Sequence, residues 1–215
     1  MNNTRFAIML GLLALIVFAT MLIIRSYNPS KEFQIAEQQE LTEIAEIKSL
    51  LGEAYQLMQE NQLNAAEKKL HLLLRQTPRN LIALQMLGNV YFMQKKYSEA
   101  EENFRTLIRI DSQRSINYNN LGQALAMQGK YREAVTELQK AVAAAPHLVQ
   151  PHLNLAETYI KLNNKKAALA ELKKAVELEK NNSGISINMH AFQALKDEKE
   201  FQQLLNSNSK QEVKK

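Results

Sequence analysis

Residue types that carry chemistry are present in this chain, but their spacing does not suit catalysis. The four histidines are isolated, and His147 and His152 lack the i, i+4 spacing and the carboxylate companion of a zinc site, so we expect them at the surface or in turns. Carboxylates are scattered, and no acid–base pair stands out. Glycine-rich phosphate loops, His-Glu-x-x-His and Gly-x-Ser-x-Gly do not occur. The sequence therefore predicts a protein that is not an enzyme and uses no metal or cofactor.

The charge balance argues against a nucleic-acid partner. The 215 residues include 27 Lys and Arg against 22 Asp and Glu, a net charge of +5. Nucleic-acid binding needs a concentrated basic face, whereas here the two signs alternate, as where Lys95 and Lys96 precede Glu99. The chain has no cysteine, which excludes a lipid-modified N-terminal cysteine and is compatible with an oxidising compartment without proving one.

An internal repeat between Ile47 and Asn182 predicts the helices that would position any functional side chain. Two series of small residues recur every 34 positions: Ala54, Gly88, Gly122, Ala156, and Ala66, Ala100, Ala134, Ala168. Large apolar residues lie between them, so each unit is predicted to be two amphipathic helices. Where these helices approach closely, we expect Gly88 to face Ala100. Gly122 is likewise expected to face Ala134. One hairpin cannot bury its apolar face alone, so neighbouring units should stack.

This pattern resembles the tetratricopeptide repeat (TPR) family, whose units carry a set of leucine, small, aromatic, alanine and proline positions. The third unit has the whole set: Leu121, Gly122, Leu125, Ala134, Leu138, Ala141 and Pro146. The other units depart mainly at their edges, for example with Lys180 at the proline place of the last. The resemblance covers about two-thirds of the chain. It implies an all-α fold, a right-handed α-solenoid of about four TPR hairpins, and an apolar C-terminal stripe suggests a capping helix.

In this family the first helix of each unit lines a concave groove that binds proteins or peptides. The resemblance assigns that role here to Tyr55, Met58, Gln85, Met86, Asn89, Phe92, Met93, Asn119, Asn120, Gln123, Met127, Asn154 and Glu157. Methionine is frequent in this set, and its flexible side chain suits surfaces that accept varied partners. The alternative is that methionine simply fills a shallow groove with no ligand.

Some family members hold a peptide's terminal carboxylate with a clamp of two asparagines and three basic residues. Asn89 and Asn120 match the two asparagines. Gln85, Gln150 and Asn154 stand at the three basic places, so the charged half of the clamp is missing. We therefore expect the groove amides to hydrogen-bond the main chain of an extended peptide or the polar side chains of a bound helix.

A second feature lies at the beginning of the chain. Residues 6–24 are an apolar run of nineteen residues without charge, bracketed by Arg5 and Arg25. As a helix this run would measure about 28 Å, close to the ~30 Å hydrocarbon thickness of a bilayer. A cleaved signal peptide is the alternative, but its apolar region is shorter and ends in a small-x-small site, whereas this run continues beyond Ala19. We predict one uncleaved N-terminal transmembrane helix.

The flanking charges scarcely choose an orientation, because basic residues stand on both sides of the run. A five-residue head is most simply left in the cytoplasm, which predicts a bacterial inner-membrane protein with its repeats on the periplasmic side. The predicted organisation is a head (1–5), the anchor (6–24), a connector or capping helix (25–46), four repeats (47–80, 81–114, 115–148, 149–182), capping helices (183–206) and a disordered tail (207–215).

These features predict a membrane-anchored TPR adaptor that holds protein or peptide partners during the assembly, translocation or maturation of envelope proteins. Two alternatives remain open. One is a permanent structural subunit of a membrane complex, and the other is a regulator of a membrane enzyme. Nucleic acid and small-molecule substrates are not expected as partners.

Overall fold

The computed structural model describes residues 31–181 and 187–212, with side chains described for 33–179 and 187–205. These residues form helices without any β-strand. The helices are α1 (Lys31–Gln59), α2 (Leu63–Gln76), α3 (Leu81–Met93), α4 (Tyr97–Ile110), α5 (Ser115–Met127), α6 (Tyr131–Ala144), α7 (Val149–Lys161), α8 (Lys165–Asn181), a 3₁₀ helix (Met189–Leu195) and α9 (Lys199–Glu212). The predicted anchor lies outside the described residues, and no helix within them is long and apolar enough to cross a membrane.

The chain divides into two compact units, residues 1–49 and 50–215, and the stacked hairpins belong to the second. From α2 to α8 each helix packs against the next one along the chain, and α5 also contacts α7. The all-helical TPR-like solenoid expected from the repeat is therefore confirmed.

The turn between the two helices has the same backbone conformation in each hairpin. One residue with positive φ ends the first helix of each pair: Asn61 (57°), Lys95 (62°), Gly129 (79°) and Asn163 (57°). In the second hairpin the Lys95 N–H donates to the Phe92 carbonyl over 3.0 Å, and the Lys96 N–H donates to the Tyr91 carbonyl over 2.9 Å. This is the Schellman arrangement, which satisfies the last carbonyls of a helix. Glycine and asparagine adopt positive φ easily, so the turn at Lys95 is the one that the sequence does not reveal.

The close contacts between paired helices differ from the sequence expectation. Gly88 faces Phe104 rather than Ala100, since a Cβ on Gly88 would lie 2.5 Å from the Phe104 ring. A Cβ on Gly122 would lie 2.5 Å from Leu138 Cγ, and Ala134 contributes only its carbonyl oxygen nearby, at 3.3 Å. Each glycine thus makes room for a large buried side chain, which fills the seam more completely than a glycine–alanine contact.

Buried apolar residues follow these seams. One cluster, around the second and third hairpins, contains Leu84, Ala100, Phe104, Leu107, Leu121, Ala124, Leu125 and Ala134. Another joins the fourth hairpin to the C-terminal helices and contains Val149, Ala156, Leu172, Val176, Phe192, Leu195 and Phe201 among others. The 3₁₀ helix and α9 therefore cover the apolar face of the last hairpin.

Polar contacts also tie neighbouring hairpins and follow the repeat. Glu67 accepts a hydrogen bond from Gln94 Nε2 over 2.9 Å and pairs with Lys96 Nζ at 3.0 Å. The residues 34 positions later, Glu101, Gln128 and Lys130, make the same contacts over 2.7 and 2.9 Å. We call this arrangement the Glu–Gln–Lys contact. The next set of positions holds Val135, Leu162 and Asn164, so the contact cannot form between the third and fourth hairpins.

Both ends of the described chain refine the predicted boundaries. α1 is one helix from Lys31 to Gln59, so it contains both the end of the predicted connector and the start of the first predicted repeat. α9 continues to Glu212, so the backbone of 207–212 is helical where disorder was expected. Neither glycine nor proline occurs between Phe201 and Glu212 to end the helix.

Gly122→Ala is predicted to destabilise the fold, although alanine favours a helix by about 1 kcal/mol. The new Cβ would lie 2.5 Å from Leu138 Cγ, and overpacking costs about 1–3 kcal/mol. Gly52 in α1 is the matched control, because nothing lies within 4 Å of a Cβ there. Gly52→Ala should leave the free energy of unfolding unchanged or raise it. Urea denaturation measures both, and equal stabilisation by the two substitutions contradicts the assigned helix contact.

Candidate functional site

The structure sorts the predicted groove residues by exposure. Exposed members are Tyr55 (59%), Met93 (47%), Met127 (55%) and Glu157. Half-buried members are Met58, Gln85, Met86, Asn89, Phe92, Asn120 and Gln123. Asn119 and Asn154 are buried, with 7% and 5% of their surface exposed. The predicted set therefore combines accessible surface with two interior amides.

Five side-chain amides form a hydrogen-bonded row, the amide row, across α7, α5 and α3. Gln150 Nε2 donates to Asn154 Oδ1 over 2.9 Å, and Asn154 Nδ2 donates to Asn119 Oδ1 over 2.7 Å. Asn119 Nδ2 donates to Asn120 Oδ1 over 3.3 Å, and Asn120 Nδ2 donates to Asn89 Oδ1 over 3.5 Å. Each nitrogen donates to the oxygen of the next amide, so the row polarises in one direction and ends on the Asn89 nitrogen.

The amide row separates two kinds of asparagine that look alike in the sequence. Asn119 and Asn154 are enclosed, and their amides already have partners within the chain. Asn89 and Asn120 keep part of their surface open. Their binding of a partner stays a prediction, but these two are the asparagines of the row that a partner can reach.

A cavity of about 350 Å³ opens beside the amide row. Its lining comes from α3, α5, α6 and α7 and consists of Phe92, Gln123, Ala126, Met127, Tyr131, Leu138, Asn154, Glu157, Thr158 and Lys161. Tyr131, Thr158 and Lys161 were missed in the sequence. Tyr131 begins the second helix of the third hairpin, and groove residues were predicted only on first helices. Lys161 lies four residues after Glu157 on the same helix face, so that spacing could have identified it.

One wall of the cavity is fixed by an aromatic pair. The Phe92 ring meets the Tyr97 ring in an edge contact, with centroids 5.3 Å apart and planes at 66°. Aromatic pairs favour this geometry. The contact holds the Phe92 ring in place, so this part of the cavity is preformed.

Glu157 supplies the only carboxylate of the cavity lining. No described residue forms an ion pair with it. Desolvation by the surrounding groove raises the pKa of the Glu157 carboxyl, and the positive charge of Lys161 partly opposes that rise. The cavity therefore combines apolar walls with one carboxylate, Glu157, and one basic side chain, Lys161, which do not form a close ion pair.

The histidine considered for metal binding has another role. His152 is buried rather than on the surface. Its Nδ1 lies 2.6 Å from Glu171 Oε2, and its Nε2 lies 3.1 Å from the Pro146 carbonyl oxygen. These contacts link α7 to α8 and to the turn that precedes α7. Among the described residues, no three His, Asp or Glu side chains are grouped to hold a metal ion.

Asn119→Ala is predicted to lower the free energy of unfolding by about 1–3 kcal/mol, because the buried Asn154 amide loses its acceptor. Asn89 ends the amide row and is half-buried, so Asn89→Ala should change stability by less than about 0.5 kcal/mol. Thermal and urea denaturation test the difference. If Asn89→Ala lowers the free energy of unfolding as much as Asn119→Ala does, the amide row does not end at Asn89.

Comparisons with known proteins agree with this architecture. Tetratricopeptide repeat models match residues 82–114 and 125–196. No curated protein matches the chain. A solved structure of MamA from Desulfovibrio magneticus RS-1 is 19% identical with a TM-score of 0.61, over 80% of this chain and 97% of that one. A crystal structure of MamA is 18% identical with a TM-score of 0.63, over 75% of this chain and 97% of that one. At such identity the likeness shows the fold alone. The 34-residue hairpins and the two matching models identify the chain as a tetratricopeptide repeat protein.

Proposed function

We propose that this protein is a membrane-anchored scaffold that binds protein or peptide partners along the groove formed by α3, α5 and α7. The observation that carries the proposal is the 350 Å³ cavity on this face, which is lined by the exposed Met127, the half-buried Phe92 and the half-buried amide of Gln123 among others. Repeat solenoids use such extended faces for protein recognition. A cavity of this size lies in the range of specific binding sites.

The groove residues suit a segment of another protein. Met93 and Met127 are large apolar side chains that remain 47% and 55% exposed, and covering them removes apolar surface from water. The amides of Asn89 and Asn120 offer hydrogen bonds to the main chain of an extended segment. Affinity then comes from apolar contacts, while the amides set the register of the bound chain.

The apolar run at residues 6–24 supports a location at a bilayer. In this proposal the anchor lies in a bacterial inner membrane and the repeats face the periplasm. The scaffold holds partners near the membrane surface while envelope proteins are assembled, translocated or matured.

A photocrosslinking residue at Met127 is predicted to capture the partner in cells. The same residue at Glu102, which is exposed on α4 outside the cavity lining, should not capture that partner. Adding Asn89→Ala and Asn120→Ala should reduce the yield from Met127 about fivefold or more, because two hydrogen bonds are worth about 1–3 kcal/mol. Crosslinks that form equally at Glu102, or a yield unchanged by the double substitution, would move the binding site off this groove.

The anchor is tested by carbonate extraction of membranes. The full-length protein should remain in the membrane pellet, because nineteen apolar residues are buried in the bilayer. Deletion of residues 2–24 should release the repeats into the supernatant. A full-length protein found in the supernatant, or a mature chain that begins near Thr20, would replace the anchor with a cleaved signal peptide.

A further inference from the structure

We infer that the cavity beside the amide row is a subsite for one long cationic side chain, an arginine or lysine of the bound partner segment, with the Glu157 carboxylate as its counter-ion. This inference rests on the proposed function, because it requires that a partner segment lie along the groove. The inference predicts that this segment carries a basic side chain, which does not follow from the TPR fold alone.

The cavity matches the two-part character of such a side chain. Phe92, Ala126, Met127 and Leu138 give it apolar walls, while Glu157 supplies a negative charge. Arginine and lysine bury an apolar stem and keep a charged head group at a polar end. An uncharged apolar side chain would contact the walls but bring no positive charge to the carboxylate.

The carboxylate itself favours a cation. Glu157 has no close ion-pair partner among the described residues, and although its side chain is exposed, partial desolvation raises the pKa of its carboxyl. A positive charge within hydrogen-bond distance offsets that cost, whereas an acidic side chain increases it. The remaining groove side chains near Glu157 are neutral, except for Lys161 one turn further along α7.

The aromatic rings and the carboxylate of the lining favour arginine over lysine. Phe92 and Tyr131 place aromatic rings in the lining, and a guanidinium group stacks on such rings. A guanidinium group also meets a carboxylate with two parallel hydrogen bonds. A guest arginine can therefore pair with Glu157 and stack on an aromatic ring.

The first step of the test identifies a peptide. Full-length protein in lipid nanodiscs is used to select from a random nonapeptide library with both termini blocked. We expect selected peptides to share an arginine or lysine at one fixed distance from an apolar residue. Their binding should be lost in a Phe92→Ala and Met127→Ala variant, which shows that they occupy the groove.

The second step is a double-substitution cycle between protein and peptide. Replacing the selected arginine with neutral citrulline should weaken binding to the unaltered protein about tenfold, as expected for charge-assisted hydrogen bonds. The loss should fall below about twofold in Glu157→Gln, which keeps the shape of the side chain. Glu102→Gln is the matched control and should keep the tenfold loss. Lys161→Gln should tighten binding of the arginine peptide, because a nearby positive charge is removed.

The outcomes separate the subsite from the proposed function. Groove-binding peptides that share no basic residue, or an equal citrulline loss in Glu157→Gln and the unaltered protein, overturn the cationic subsite and leave the scaffold intact. A selection that yields no peptide dependent on Phe92 and Met127 overturns groove binding, and the subsite with it. Circular dichroism of Glu157→Gln confirms that the variant is folded before the comparison is made.

Discussion

A two-helix hairpin cannot bury its own apolar face, and every other feature of this protein depends on how stacking removes that face from water. The contacts are tight because Gly88 and Gly122 admit Phe104 and Leu138 against the helix backbone. Stacking in this register also brings α3, α5 and α7 side by side, so the amides of successive first helices come within hydrogen-bond distance. The groove is therefore a consequence of core packing, and its geometry is as fixed as the core.

Stacking is not uniform along the array. In the Glu–Gln–Lys contact, burial tends to raise the pKa of Glu67, but hydrogen bonds from Gln94 and Lys96 outweigh it and lower the pKa below 4.5. A depressed carboxyl pKa stabilises the folded state above the unfolded value, and that stability is lost as the pH falls through the folded pKa. The contact is absent between the third and fourth hairpins, where the amide pair of Asn119 and Asn154 and the cavity are found instead. The proposed binding site thus lies at the hairpin interface that lacks the Glu–Gln–Lys contact.

The repeat, the hairpins and most turns could be predicted because they follow local rules: small residues at 34-residue intervals and asparagine or glycine at positive φ. The side chain that packs against each glycine could not be predicted, because periodicity identifies the helix face but not which residue of the neighbouring helix contacts it. The same limit applies to the site. The first-helix positions were predicted, but the burial of Asn119 and the contribution of Tyr131 depend on neighbouring hairpins. His152 was likewise assigned to the surface because its partner, Glu171, lies on another helix.

Amide hydrogen exchange of the full-length protein, read by mass spectrometry, tests the central claim that nearest-neighbour stacking builds the groove. Helices of a hairpin with a neighbouring hairpin on each side should open only by global unfolding, so α3, α4, α5 and α6 should exchange most slowly. Residues 31–49 of α1, which belong to a separate compact unit, should exchange fastest among the described helices. Slow exchange confined to one end of the array, or protection in 31–49 equal to that in α5, would contradict a groove held in shape by its neighbouring repeats.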